Sequence, residues 1–84
     1  FGGGGSAPSE PAGEDFEGFC IYAEPMKDGK RFRIAARIER EVDGEMKVHQ
    51  LIRADTLESY EAAVDASRAK AQQVITEQGL RLFG

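Results

Sequence analysis

The sequence predicts an α+β domain, a three-stranded antiparallel β-meander followed by one C-terminal α-helix packed across the apolar face of the sheet (βββα). Three observations lead there. Only the stretch from Thr56 to Gly79 sustains helical periodicity. Arg31 to Val42 alternates apolar and polar residues over its whole length. Two Asp-Gly pairs, Asp28-Gly29 and Asp43-Gly44, stand where strands would have to reverse. Eighty-four residues leave room for one small domain with a modest core.

Phe1 to Asp15 consists largely of Gly, Ser, Pro, Ala and acids, a composition that cannot bury enough apolar surface to fold. It reads as a disordered tail (1–15), with residues 16–84 as the single folded domain. The four glycines Gly2 to Gly5 do not make a phosphate cradle. That chemistry needs a preceding strand, a following helix and usually a Lys-Ser/Thr pair, and the sequence supplies none of them here.

Phe16 to Met26 reads as the first strand, with Phe19, Ile21 and Ala23 alternating against Cys20, Tyr22 and Glu24; Pro25, which cannot donate to a ladder, ends it or marks an edge. Asp28-Gly29 then turns the chain. In the second strand Phe32, Ile34, Ala36, Ile38 and Val42 point inward, and Arg31, Arg33, Ala35, Arg37, Glu39 and Glu41 outward. Arg40 is the exception on the apolar side, close enough to the turn for its head to reach water. At Asp43-Gly44 a two-residue turn would set Ile38 beside His49 and mix the faces. A three-residue loop pairs Ile38 with Val48 and Ile34 with Ile52, and is the preferred expectation. The third strand, Glu45 to Ala54, is then expected to turn Met46, Val48, Ile52 and Ala54 inward and Lys47, His49, Leu51 and Arg53 outward.

In the helix, Tyr60, Ala63, Val64, Ser67, Ala71, Val74, Ile75 and Gln78 share one side. Ser59 is the expected N-cap, with Thr56 an alternative one turn earlier, and Glu61 suits the positive end of the helix dipole. Gly79 is expected to close the helix, with Leu80 packing back on Ile75.

The formal charge is −4, which argues against a non-specific DNA coat. The charge is unevenly spread: the tail carries Glu10, Glu14 and Asp15 with no base, while Lys30, Arg31, Arg33, Arg37, Arg40, Lys47 and Arg53 make the middle locally basic. Cys20 is the only cysteine, so an internal disulfide and a cysteine-based zinc site are both excluded, and a lone thiol fits a cytoplasmic location. No apolar run approaches the ~20 residues that cross a bilayer, and no secretory signal stands within the sequence. The chain begins at Phe1 rather than Met, and a preceding segment is expected.

On this register the candidate binding face gathers Arg33, Arg37, Lys47, His49, Leu51 and Arg53. An open sheet carrying arginines can hold phosphates or an acidic protein segment; equally, antiparallel sheets often simply present a polar side to water. Leu51 and Ala35 add a small apolar spot suited to protein contact. Single-stranded nucleic acid needs two or three exposed aromatics for stacking, and only Tyr22 qualifies. His49 has no second histidine, Cys20 has no histidine near it in sequence, and the acid pairs Glu39/Glu41 and Glu58/Glu61 sit on surfaces. No catalytic, metal or cofactor site is therefore expected, and no small-molecule substrate. One helix is too few for a helix-turn-helix.

The chain resembles the small bacterial proteins grouped as HlyU-type transcriptional activators. The likeness runs through Phe1-Gly-Gly-Gly, Glu17-Gly18-Phe19, Ile21, Glu24-Pro25, Phe32-Arg33-Ile34-Ala35, Arg37-Ile38 and Val42-Asp43-Gly44-Glu45. It continues in Ile52-Arg53-Ala54-Asp55-Thr56, Lys70-Ala71-Gln72-Gln73, Ile75 and Glu77-Gln78-Gly79. It implies a non-enzymatic regulator of transcription and a segment before the Phe-Gly run, and it carries over no catalytic or DNA-reading residues. Two expectations follow: a cytoplasmic regulator acting through the sheet face on a protein partner or on DNA, or a small adaptor or assembly module without direct DNA binding. The small size of the folded part adds a homodimer to the expected partners.

Overall fold

The computed structural model describes residues 13–84. One antiparallel sheet is built from β1 (Glu14–Phe16), β2 (Phe19–Ala23), β3 (Met26–Asp28), β4 (Arg31–Val42) and β5 (Glu45–Leu57), and one helix, α1 (Tyr60–Gln78), follows it. A single 3₁₀ turn, Gly79–Phe83, ends the chain. The α+β architecture with a C-terminal helix on an antiparallel sheet is as the sequence indicates, but there are five strands rather than three.

Two causes account for the extra strands. Pro25 splits the expected first strand into β2 and β3, yet both pair with the same side of β4 in one continuous register, from Cys20 opposite Glu39 to Asp28 opposite Arg31. Glu24 keeps that register by donating its N–H to the Ala35 carbonyl at 2.9 Å. At the other end, Glu17 and Gly18 both take positive φ (52° and 88°) and fold Glu14–Phe16 back on β2 as a tight hairpin. Glu14 and Asp15, assigned to the tail from composition, therefore belong to the sheet. The rest of the expected tail, residues 1–12, lies outside the described residues.

The second correction concerns register. Asp43 (φ 53°) and Gly44 (φ 80°) form a two-residue turn with Val42 opposite Glu45, not the three-residue loop that face-matching favours. Two successive positive φ values suit an Asp-Gly pair, and this local chemistry prevails. Ile38 accordingly stands opposite His49, and Ala36 opposite Leu51. A one-residue change of register turns every β5 side chain over. Leu51 is buried with the core, whereas Met46, Val48 and Ile52 are 61%, 51% and 52% exposed.

The core lies between α1 and the inner face of β2, β4 and β5. Phe19, Ile21, Ala36, Ile38 and Leu51 meet Ala71 and Ile75, with Phe16 and Val74 at the margin. The helix presents its smallest residues to the sheet: Ala63, Ser67 and Ala71 are fully buried, so the backbones approach closely. Ser67 has a task there. Ala35 gives its carbonyl to the Glu24 N–H on the side of β4 where Pro25 interrupts the pairing, and its N–H donates to Ser67 Oγ at 3.1 Å. The helix thus satisfies a buried backbone donor of β4 that no strand takes up.

Helix ends follow the sequence closely. Ser59 Oγ accepts from the Ala62 N–H at 3.0 Å, and Gly79 closes the helix with φ 55°, its N–H bonded to the Ile75 carbonyl. Leu80, however, is exposed; Leu82 and Phe83 pack into the core instead, with the Phe83 ring 6.0 Å from that of Phe19. The 3₁₀ turn after Gly79 shifts the returning residues, and Leu82 takes the place expected for Leu80. No described helix is long and apolar enough to cross a membrane.

Candidate interaction face

Strand alternation and register divide the sheet into a helix-covered inner face and an open outer face. The outer face carries Cys20, Tyr22 and Glu24 from β2 and its extension, Met26 from β3, Arg33, Arg37 and Glu39 from β4, and Met46, Val48, Gln50 and Ile52 from β5. Of the residues that the sequence assigns to one binding face, only Arg33 and Arg37 are here. Lys47, His49 and Leu51 lie on the helix side, because the two-residue turn inverted their strand. Leu51 is core, His49 is half-buried opposite Ile38, and Lys47 reaches back to Glu45 at 3.1 Å. Arg53 is exposed in the irregular stretch where the ladder slips.

The two outer arginines are engaged within the chain. The Arg37 guanidinium sits 4.4 Å from the centre of the Tyr22 ring. Its Nη1 is 3.5 Å from Glu24 Oε2 and its Nε 3.0 Å from Glu39 Oε2. The Nε–H does not point at that oxygen, so the contact with Glu39 is an ion pair without a hydrogen bond. Arg33 Nη2 donates to Asp28 Oδ2 at 2.9 Å. Nearby, Arg31 clamps the end of β5, donating to Thr56 Oγ1 (2.7 Å) and to the Thr56 carbonyl (2.9 Å), with Glu58 at 3.7 Å. Arg40, on the inner side, lies over the Phe19 ring and donates to the Glu17 carbonyl, which holds the β1–β2 turn.

These contacts fix the electrostatics of the face. Arg33 and Arg37 are each matched by carboxylates, and Asp15 and Glu41 also alternate onto this side. The Tyr22 phenol is held above its ordinary pKa, first by the neighbouring Cys20 side chain, then by burial and Glu39, with Arg37 opposing. It stays a neutral hydroxyl. Among the described residues no group of three His, Cys, Asp or Glu side chains could hold a metal ion.

What stands out beside this neutralised patch is the apolar row on β5. Sequence reading assigned Met46, Val48 and Ile52 to the core; the signal that would have placed them outside is the Asp43-Gly44 pair itself, whose preference for a two-residue turn sets the register.

The family model described as Transcriptional activator HlyU matches residues 1–83. The chain belongs to the HlyU family of transcriptional activators. No curated protein and no solved structure matches it. HlyU membership covers both faces of the sheet and the helix together, so the open outer face belongs to the matched region. The family is one of transcription factors rather than of enzymes.

Proposed function

We propose that this HlyU-family chain is a cytoplasmic, non-enzymatic regulator of transcription that works by docking a protein partner on the outer face of its sheet. One observation carries the reading: three apolar side chains of β5 are exposed in a row while the arginines beside them are already paired with carboxylates. A small apolar centre with a charged rim has the anatomy of a protein interface. Duplex DNA asks for the opposite arrangement, cations free to replace the counterions of successive phosphates. Acids outnumber bases on the outer face, and the whole chain is acidic.

The test has two arms. In a reporter assay, Met46→Ser/Val48→Ser/Ile52→Ser should abolish regulation while circular dichroism stays native, since these side chains contribute little to the core. In a titration with mixed-sequence duplex DNA, the wild-type chain should not bind at micromolar concentration even at low salt. Micromolar binding with a log–log salt slope of roughly −2, lost in Arg33→Ala/Arg37→Ala, would replace this reading with direct DNA contact.

A further inference from the structure

The two lateral edges of the sheet are built differently. On one side the boundary is formed by the short strands β1 and β3, broken by Pro25, which is how natural sheets blunt an edge. On the other, β5 runs thirteen residues, and among the described residues nothing pairs with its far side. A two-residue turn closes on a hydrogen-bonded pair, so Glu45, Lys47, His49 and Leu51 bond to β4. Met46, Val48, Gln50 and Ile52 therefore turn their N–H and C=O groups to the open edge. None of those four side chains is charged.

We propose that this edge pairs with β5 of a second copy of the chain, antiparallel about a two-fold axis through His49. Three registers pair at least three of the four outward-facing residues with one another, and they can be compared residue by residue. Centred on His49, Met46 meets Ile52, Val48 meets Gln50 through paired backbone hydrogen bonds, and Glu45 meets Arg53 at both ends. Centred on Gln50, Lys47 would face Arg53 and Glu45 would face Asp55, like charge against like. Centred on Val48, Lys47 would face His49, and both the Glu45–Arg53 and Met46–Ile52 pairs would be lost. Charge complementarity thus selects one register of the three. The contact involves about nine residues a side, well short of the ~1,600 Å² of a standard stable interface, so the dimer is a weak and exchanging one. Pairing keeps both helices on one side and sets the two Met46–Ile52 rows next to each other on the other, doubling the apolar platform. The dimer does not depend on the functional reading, because it forms from the chain alone.

Sedimentation velocity on the purified full chain, from micromolar to millimolar concentration, tests it. The expected result is a concentration-dependent monomer–dimer equilibrium. Val48→Pro, which removes an outward N–H at an edge position, should remain monomeric at every concentration. Glu45→Arg or Arg53→Glu alone should weaken the dimer by about tenfold, and the double swap Glu45→Arg/Arg53→Glu should restore it. Neither charge change touches Met46, Val48 or Ile52, so loss of the dimer and loss of partner docking are read separately. A wild-type chain monomeric throughout would overturn the proposal. So would a dimer indifferent to Val48→Pro, which would point to face-to-face contact, or a double swap that fails to rescue.

Discussion

β4 and β5 are hairpin partners with similar alternation and opposite outcomes. On β4 the apolar set Ile34, Ala36 and Ile38 lies under the helix, and Ile38 has no exposed surface at all. On β5 the apolar set Met46, Val48 and Ile52 faces away from the helix, each more than half exposed, while Leu51 alone joins the core. The same pattern of residues is therefore structural on one strand and available on the next. What separates them is two backbone angles at Asp43 and Gly44. Amphipathicity says that a strand has an apolar side; the turn decides which way that side looks.

The sharpest way to break this contrast is a matched pair of truncations. Ile38→Ala should cost about 2–5 kcal/mol through lost burial and a residual cavity, whereas Val48→Ala should change stability by about 0.5 kcal/mol or less. Urea denaturation of both variants measures the difference, and equal losses would mean that Val48 is inside. Next in size is Ser67→Ala, which leaves the Ala35 N–H without its partner in a buried setting and should cost about 1–3 kcal/mol. In native-state hydrogen exchange the Ala35 amide should lose protection more than its neighbours on β4.

Gly44→Val probes the hinge of the comparison. A β-branched residue at φ 80° is strained, although open space surrounds the site, and the change should cost about 1–2 kcal/mol or more. The smallest effect is expected at β1. Glu14 accepts from Gln72 Nε2 at 2.6 Å and pairs with Arg68 at 3.4 Å, tying β1 to the helix across a partly exposed gap. Glu14→Ala should lower stability by about 1 kcal/mol or less, and less still at high salt.

The parts of the fold governed by local signals were legible in the sequence. Ser59, the four-residue spacing of Ala63, Ser67, Ala71 and Ile75, and Gly79 define the helix without reference to anything distant. The alternation of β4 is likewise self-contained, and Arg40 near the turn behaves as its long stem allows. On β5 two rules disagree. Matching apolar faces favours a three-residue loop, and Asp-Gly chemistry favours two; the chain follows the turn. β1 was hidden for a different reason: its three residues look like tail by composition, and only the positive φ values of Glu17 and Gly18 bring them into the sheet. The role of Ser67 is not legible either: on an otherwise apolar stripe nothing distinguishes it from a tolerated small residue, and its partner, the Ala35 N–H, lies 32 positions away in sequence. Of the candidate face, Arg33 and Arg37 lie on the open side, where their neutralisation by Asp28, Glu24 and Glu39 depends on pairings across the sheet.

The measurement that reaches the centre of this account is a two-dimensional NOE spectrum of the β4–β5 hairpin. In an antiparallel ladder the non-hydrogen-bonded pairs bring Cα atoms to about 4.5 Å and their Hα protons into close contact. The two-residue turn places Glu39 opposite Val48 and Arg37 opposite Gln50, so strong Hα–Hα cross-peaks are expected between those pairs. Cross-peaks that instead set Ile38 opposite Val48 would return Met46, Val48 and Ile52 to the helix side. The open apolar row, and the partner-docking and dimer readings built on it, would then be contradicted together.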